Sequence, residues 1–351
     1  MTSRERFFAS YRRQGYDRPP THHYGTPEIN AALMAALGVA DYGSLIVRLG
    51  DDFRHVSPAY AGPALRTFDD GSWEGLWGER YTHYDFGQGT YPEACYLPFA
   101  GVESADELKN FRFPTADWFD YSDLRAQCEA LPDFVRMIGG AGEPDFINGT
   151  ARCRGVEQVL LDIATRDEVY LKLIEQRFEF VYERNERALS AAGGLIDVVC
   201  FGEDLGDQRS LIMRPQAYDE LFAPYMKQLF EQAHRHGALT MMHSCGSVYR
   251  LIPRLIELGL DILEVVQVDA ADMAIDRLAA EFGRDLMFCG SVSVQTVLPF
   301  GTPQQVRRAV RERKALFPRG GIVIAPTHDI QVGTPIENIL AMYDEIGSLS
   351  Q

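Results

Sequence analysis

The strongest constraint on the fold is an alternation of short apolar runs with amphipathic segments in the second half of the chain. Parallel strands that are buried on both faces typically read as such runs. The five runs are LIDVVCFG (195–202), ALTMMHSCG (238–246), DILEVVQ (261–267), DLMFCGSVS (285–293) and GIVIAPTH (321–328). Helical patterns separate them, and several of these end in glycine, as helix C-termini commonly do. The alternation predicts an α/β fold with a parallel sheet.

Two further runs extend this pattern towards the N-terminus. FVRMIGGAG (134–142) predicts another strand, and PPTHHYG (19–25) is a candidate for the first one. Seven strand candidates separated by helices favour a βα barrel, although a doubly wound open sheet has the same alternation. The segment from about 45 to 130 is richer in aromatic residues, Gly and Pro. We interpret it as an insertion or lid, and we expect its aromatic side chains mainly to pack that segment.

Charge and composition exclude several classes of function. The chain has 34 Lys and Arg against 50 Asp and Glu, a net charge of −16. This argues against a nucleic-acid partner, because phosphate binding needs a positive surface. No stretch approaches the ~20 continuous apolar residues of a membrane span, and the charged N-terminus lacks the apolar centre of a signal peptide. We therefore expect a cytoplasmic protein without a membrane partner, whose six scattered cysteines are free thiols.

Polar residues follow five successive strand candidates at their C-terminal ends. In a βα barrel these ends meet at one face, where the active sites of such enzymes lie. Each ending taken singly is equally well explained as a solvated loop. The endings are Glu203 with Asp204, His243 with Cys245, Gln267, Ser291, and His328 with Asp329.

The motif HSCGSV (243–248) raises the sharpest functional question. A His and a Cys two residues apart at a strand end are a metal pair, a reactive thiol or ordinary packing, and the motif alone favours none of these. Two imidazoles and a thiol on the same face suit tetrahedral Zn²⁺. His243, Cys245 and His328 are therefore candidate ligands.

The remaining histidines carry weaker signals. His22 and His23 reach the same face if PPTHHYG is a strand, and strict alternation would then turn one to the barrel interior and the other to the helices. His234 and His236 lie near a helix C-terminus, where cations offset the dipole, and have a structural interpretation. The other histidines, His55 and His83 among them, are assigned no role.

Three segments resemble the uroporphyrinogen decarboxylase superfamily. They are FGEDLGDQRSLIMRPQAYDELFAPYMKQL, HSCGSVYRLIPRLIELGLDILEVVQ and IAPTHDIQVGTPIENILAMYDEI. The likeness covers roughly residues 130 to 346 well and the N-terminal third more loosely. It implies a single (β/α)8 TIM-type barrel domain over residues 1–351, with its cleft at the C-terminal ends of the strands.

The superfamily has two well-known chemistries. Its cofactor-free decarboxylases hold substrate carboxylates with an Arg-rich RQAGR segment, whereas this chain reads HHYGTPEIN after the first strand candidate. Uroporphyrinogen would miss its main cationic partners here. The other branch comprises zinc-dependent methyltransferases that work with corrinoid proteins and ligate zinc by H-x-C and a later Cys. The resemblance implies a zinc set of His243, Cys245 and His328, the last standing where the later Cys would be.

From these observations we expect an enzyme that moves a methyl group between a small organic substrate and a corrinoid protein, or a thiol or folate acceptor. Glu203 and Asp204 are the expected catalytic residues, with Glu203 also a candidate fourth ligand of zinc. The residues expected to contact substrate are Gln267, Ser291, His22 and Tyr24. One alternative is a decarboxylase of a different acid, in which His328 and Asp204 or Glu203 would handle protons without metal. The least favoured is a non-catalytic binding protein on the same barrel.

Overall fold

The computed structural model describes residues 1–87 and 89–350. Gln88, inside the predicted insertion, and Gln351, the last residue of the predicted domain, lie outside the described residues. The strands are β1 Phe53–His55, β2 Ala59–Tyr60, β3 Trp73–Glu74, β4 Arg80–Asp85, β5 Thr90–Tyr96, β6 Phe119–Asp120, β7 Val135–Pro144, β8 Val198–Gly202, β9 Leu239–His243, β10 Ile262–Val265, β11 Met287–Val292 and β12 Ile322–Pro326.

Helices follow most of the strands of the second half. They are α1 Ser3–Tyr11, α2 Pro27–Leu37, α3 Tyr42–Leu49, α4 Leu124–Glu129, α5 Asn148–Arg154, α6 Val156–Thr165, α7 Glu168–Ala192, α8 Pro215–Leu221, α9 Ala223–Arg235, α10 Ile252–Leu258, α11 Ile275–Phe282, α12 Val297–Phe300, α13 Pro303–Leu316 and α14 Ile336–Ile346. Short 3₁₀ helices cover Ala105–Asn110, Ala116–Trp118 and Tyr249–Leu251.

Local signals set the helix ends. A capping box of Thr302 and Gln305 begins α13, with Pro303 at its first turn. The long helix α7 begins at an Asp167 side-chain cap and ends at Gly193, which has a φ of 62°. Glycine adopts the left-handed backbone conformation at this position without strain, because glycine has no Cβ. These ends set where the chain enters and leaves the strands that carry the candidate site.

Seven strands form one parallel sheet in the order β1-β7-β8-β9-β10-β11-β12. All six sheet pairings are parallel, as expected where helices connect successive strands. The structure thus confirms the α/β fold, and it confirms a strand within each of the six apolar runs from FVRMIGGAG to GIVIAPTH.

The predicted first strand, PPTHHYG, contributes only isolated bridges. Thr21 bridges Ile324 of β12 in parallel, and the Ile324 N–H donates to the Pro20 carbonyl at 2.9 Å. On the other side, the Asp52 N–H donates to the Thr21 carbonyl at 3.0 Å, next to β1. A regular ladder is prevented here because Pro20 has no N–H to donate. The described strands form a curled seven-stranded sheet whose two edges both bond to Thr21.

The segment from about 45 to 130 is not all outside the main sheet. Strand β1 falls within it and pairs with β7, and three residues are too few to produce a periodic signal. The remainder forms a small antiparallel sheet, β3-β4-β5, and a β2–β6 pair. The Thr90 N–H at the start of β5 donates to Glu28 of α2 at 3.3 Å. The role of this segment as a lid stays a prediction.

The interior of the curled sheet is a separate apolar cluster, closed from one side by Phe7 of α1. Phe7 is fully buried and packs edge-to-face on Phe53 of β1 at 5.3 Å between ring centroids. The other members of the cluster are Val135, Met137, Val198, Cys200, Met241, Ile262, Met287, Cys289, Val323 and Ala325. A larger core lies between the strands and the surrounding helices.

No single helix in the described part of the chain is long and apolar enough to cross a membrane. Only when α2 and α3 are joined do they have the length and apolar composition of a membrane span, and the chain bends by 71° between them.

Replacing Phe7 with Ala should destabilise the protein by about 3 kcal/mol or more, because the cavity left at the end of the sheet interior has few side chains able to fill it. The free energy of unfolding in urea measures this change. Phe300→Ala is the matched control, since the Phe300 side chain is 84% exposed and its loss should cost under about 0.5 kcal/mol. Equal losses for the two variants would show that α1 does not close the sheet interior.

Candidate metal centre

The parallel sheet brings the three predicted ligand residues together at the C-terminal ends of its strands. His243 is the last residue of β9, Cys245 follows it by two positions, and His328 lies two positions after β12. One ligand atom from each lies within 4.8 Å of the others. The imidazole rings of His243 and His328 are 5.7 Å apart between centroids, at 75° to one another. We refer to these three residues as the His/Cys/His cluster.

The donor set and spacing of the cluster fit a zinc ion. His243 Nε2 lies 3.6 Å from Cys245 Sγ. Tetrahedral coordination with usual Zn–S and Zn–N bond lengths places such a pair about 3.6 Å apart. Three protein ligands also leave a fourth position free, as in catalytic rather than structural zinc sites.

One contact in the cluster would have to change on metal binding. His328 Nδ1 accepts a hydrogen bond from the Asp329 N–H at 2.7 Å. Coordination through Nδ1 would replace this bond, and coordination through Nε2 would need a proton on Nδ1. The imidazole of His328 must therefore rearrange locally to bind a metal.

Behind His243 lies a buried carboxylate that was not among the predicted site residues. Glu264 of β10 is 3% exposed, and its Oε1 is 3.5 Å from His243 Nδ1. A carboxylate in this position holds the proton on Nδ1 and leaves Nε2 free for a metal. The sequence did contain a signal for it, namely an acidic residue inside the apolar run DILEVV. A carboxylate buried in a strand needs a polar partner, so its presence there predicts a partner on a neighbouring strand.

The cluster is electrostatically self-consistent. Burial opposes protonation of His243, but the Glu264 carboxylate and Cys245 hold its pKa well above the usual value. Burial works against the Cys245 thiolate, yet hydrogen bonds from His243 and His328 lower the pKa of the thiol. The contact with Cys245 raises the pKa of His328 in turn. The arrangement favours a thiolate, the form of cysteine that reacts and binds metal.

The two predicted catalytic carboxylates have different surroundings. Asp204 Oδ1 accepts the Cys245 N–H at 2.8 Å and lies 3.8 Å from His243 Nε2. Glu203 is 1% exposed, and its two carboxylate oxygens accept the N–H groups of Phe146 and Ile147 at 2.7 and 3.0 Å. Burial and the nearby Asp145 carboxylate raise the pKa of Glu203 well above the usual value. Only Asp204 is next to the cluster, and a catalytic role for either residue stays a prediction.

Of the two predicted substrate-contacting residues that lie just after β10 and on β11, one borders the site. Gln267 Oε1 accepts the Gly246 N–H at 2.7 Å and so holds the turn that follows Cys245. That turn needs glycine, because Gly246 has a φ of 81° and a Cβ there would lie 2.3 Å from the Gly206 carbonyl oxygen. Ser291 is fully buried, and its hydroxyl has no hydrogen-bond partner in the structure as described.

His22 and His23 face opposite ways, as strict alternation predicts. The ring of His22 stacks on Phe53 in the sheet interior, and its Nδ1 is 2.9 Å from the Asp51 carboxylate. His23 turns outward and bonds the hydroxyl of Tyr343 in α14 at 2.7 Å. Tyr24 lies against His22, at 4.4 Å between ring centroids.

Two cavities meet at the His/Cys/His cluster. The barrel cavity, of about 170 Å³, is lined by Tyr24, His55, Met137, Gly140, Ala141, Cys200, His243, Glu264, Val265, His328 and Asp329. The loop cavity, of about 350 Å³, is lined by Gln208, Cys245, Gln267, Val294, Gln295, Thr327, His328, Asp329 and Gln331. Of the predicted catalytic and substrate-contacting residues, Tyr24 and Gln267 border a cavity, whereas His22, Ser291, Glu203 and Asp204 are not among the lining residues. Contact with substrate stays a prediction for all of them. His55, which was assigned no role, lines the barrel cavity.

Comparison with known sequences gives a consistent family assignment. A family model described as uroporphyrinogen decarboxylase (URO-D) matches residues 86–349. A relative named uroporphyrinogen decarboxylase, from Anaeromyxobacter dehalogenans, is 25% identical over 233 residues, which are 64% of this chain and 61% of the relative. A relative named methylated-thiol–coenzyme M methyltransferase, from Methanosarcina mazei, is 27% identical over 189 residues, 53% of this chain and 47% of the relative. The chain therefore matches about half to three-fifths of the length of these curated relatives.

A solved structure supports the fold over the whole chain. A methyltransferase from Methanosarcina mazei superposes with a TM-score of 0.65, covering 99% of this chain and 98% of its own. The two sequences are 16% identical, so the likeness concerns the fold alone.

Cys245 should be the most reactive of the buried or partly buried cysteines when the protein is stripped of metal by a chelator. Its lowered pKa gives more thiolate near pH 7, whereas burial raises the pKa of the thiols of the four buried cysteines, Cys128, Cys153, Cys200 and Cys289. Iodoacetamide labelling followed by peptide mass spectrometry measures the rates.

Adding Zn²⁺ should protect Cys245 from iodoacetamide and leave the exposed Cys95 unaffected. Labelling of Cys245 that is as slow as that of Cys200 would contradict the thiolate assignment. Labelling that zinc does not change would contradict the metal fit.

Proposed function

Because the chain belongs to the uroporphyrinogen decarboxylase family, we propose that it is a zinc-dependent methyltransferase or demethylase. It moves a methyl group between a small organic substrate and a corrinoid protein, or a thiol or folate acceptor. The observation that carries the proposal is the His/Cys/His cluster, whose donor set and 3.6 Å N···S separation fit catalytic zinc. The relative named as a methylated-thiol–coenzyme M methyltransferase supports the choice of methyl transfer.

His243, Cys245 and His328 would hold the zinc ion at the junction of the barrel and loop cavities. When bound, zinc supplies Lewis-acid chemistry, lowering the pKa of a thiol or hydroxyl or activating a leaving group. Glu264 positions the imidazole of His243 through Nδ1. Because two cavities border the cluster, we propose that one admits the molecule that gives the methyl group and the other the molecule that receives it.

Asp204 is the residue that we propose handles the proton. In demethylation, the acceptor attacks the methyl carbon, the bond from that carbon to oxygen or sulfur breaks, and the heteroatom keeps the electron pair. That heteroatom must then take up a proton that comes from solvent, and Asp204, beside His243 Nε2, is the carboxylate that can relay it. Glu203 is a positioning residue in this proposal, since both of its oxygens hold the backbone ahead of α5.

A decarboxylase of a different acid is the second candidate, and the relative named uroporphyrinogen decarboxylase favours it. Such an enzyme must bind a carboxylate, usually through Arg or Lys. The described residues that line the two cavities include neither. We therefore rank methyl transfer first.

We also propose that the segment around Thr21 completes the curled sheet as the eighth strand of a closed (β/α)8 barrel. The hydrogen bonds from this segment to both edges of the sheet, at Ile324 and Asp52, support this interpretation. Closure would place His22 and Tyr24 at the same face as the cluster.

The purified protein should contain about one zinc ion per chain, and His243→Ala and Cys245→Ala should lose it. His234→Ala is the matched control, because His234 bonds Asp261, which precedes β10 at the opposite end of the sheet. Elemental analysis measures the metal.

For activity, methylcobalamin formation from cob(I)alamin is followed with a panel of methyl ethers and thioethers, and we expect zinc-dependent formation with at least one of them. A metal-free protein that releases carbon dioxide from an acid and moves no methyl group would establish the decarboxylase instead.

Glu264→Gln should weaken zinc affinity by about 10- to 100-fold, because the amide no longer holds the proton on His243 Nδ1 as a carboxylate does. Competition with a chromogenic chelator measures the affinity. Glu186→Gln is the control, since Glu186 pairs with His236 on the outer helices. An unchanged zinc affinity in a folded Glu264→Gln variant would mean that Glu264 does not act through His243.

A further inference from the structure

The barrel cavity has an apolar wall with polar groups at separate places along it. Met137, Ala141, Cys200 and Val265 contribute the apolar surface, together with the backbone of Gly140. Its volume of about 170 Å³ is close to that of a cavity of about 150 Å³ that is known to hold benzene. The enclosed part of a ligand is therefore about the size of one six-membered ring.

His55 and Tyr24 are two polar groups of this cavity that lie outside the cluster and have no hydrogen-bond partner among the described residues, and the Tyr24 hydroxyl is buried. His55 is the last residue of β1, and its ring is accessible from the cavity. Neither ring nitrogen has a hydrogen-bond partner within residues 1–87 and 89–350, and the nearest ring, that of His22, is 6.2 Å away between centroids. The side chain of His55 keeps an exposed surface, and desolvation by the residues around it lowers its pKa to about 4, so the ring is neutral near pH 7 and offers one donor and one acceptor.

The charge of the lining disfavours an anion. Glu264 and Asp329 contribute carboxylates, and the lining residues that the structure describes include no Lys or Arg. The two imidazoles of the His/Cys/His cluster also line the cavity, but Glu264 and the Cys245 thiolate already offset their charge. A bound anion would therefore lose its hydration without gaining an unpaired cationic side chain, which is costly. A neutral molecule with a hydrogen-bonding group incurs no such cost, because His55 can replace the lost water.

We propose that the barrel cavity binds an uncharged molecule whose enclosed part is about one six-membered ring in size, and that His55 hydrogen-bonds its polar group. Treating this ligand as the methyl-transfer substrate rests on the proposed function. The binding preference itself rests only on the cavity. His55 is thus a specificity-determining residue that lines the same cavity as His243 and His328.

The test compares two ring-sized probes on the zinc-loaded protein by calorimetry or ligand-observed NMR. Benzamide is neutral, and benzenesulfonate is an anion that coordinates zinc poorly. We expect benzamide to bind at least tenfold more tightly than benzenesulfonate. Equal binding of the two probes would overturn the proposal.

Substitution of His55 tests its role. His55→Phe keeps a ring of similar size but removes both hydrogen-bonding nitrogens, so benzamide should bind about five- to tenfold more weakly. His55→Gln restores a donor and an acceptor and should recover part of that loss. His83→Phe is the matched control, because His83 packs on Trp73 in the small sheet and does not line the cavity. Unchanged benzamide binding in His55→Phe would overturn the assignment of His55.

Zinc content, measured on every variant, separates this proposal from the proposed function. If the protein holds no zinc and moves no methyl group but still prefers benzamide through His55, the proposed function fails and the cavity assignment stands. If zinc and methyl transfer are found but benzenesulfonate binds equally well, only the cavity assignment fails.

Discussion

The candidate site depends on the parallel register of three neighbouring strands. In this register His243 is paired with Gly202 of β8 on one side and with Glu264 of β10 on the other. Residues paired across a parallel ladder point to the same face, so the carboxylate of Glu264 is delivered to Nδ1 of His243 by the backbone alone. On the other side Gly202 has no side chain to compete for that space. A shift of one residue in β10 would turn Glu264 to the helices and remove the support of His243.

Burial makes this arrangement costly unless its charges compensate one another. Glu264 lies in an almost entirely apolar interior, and an isolated carboxylate there would be strongly unfavourable. Its charge is offset by His243, and that of the Cys245 thiolate by the two imidazoles. Removal of any one of these groups leaves another buried and uncompensated. A divalent cation at the cluster would satisfy the thiolate and the histidine nitrogens together, which is why we interpret the arrangement as prepared for metal.

The carboxylates of Glu264 and Asp329 also influence which molecules, other than a metal, the protein can bind. The barrel cavity has no cationic side chain among its described lining residues, in agreement with the missing arginines after the first strand candidate. Family membership alone allows a decarboxylase or a methyltransferase, since one fold supports both. The side chains at the strand ends are what favour methyl transfer in our proposal. Two histidines and a cysteine there suit zinc, and the described lining residues include no Lys or Arg that could hold a substrate carboxylate.

The sequence by itself determined the α/β class, six strands of the sheet, the family and the three residues of the His/Cys/His cluster. The fold class and the strands follow from long apolar runs, because local patterns report which segments are buried. His328 lies far along the chain from the HSCGSV motif and was joined to it through the family resemblance and the expected meeting of the strand ends. The sequence did not reveal β1, which is three residues long, or the reduction of PPTHHYG to bridges around Thr21.

Only the tertiary structure decided which polar residues face the site. Glu203 and Asp204 are adjacent in sequence, yet one is bound to the backbone of Phe146 and Ile147 and the other lies beside His243. Glu264 came to lie beside His243, and His55 came to line the same cavity, through the packing of segments that are far apart in the chain. Such contacts depend on register and on sheet curvature, which bring distant residues together and which no local pattern of residues encodes.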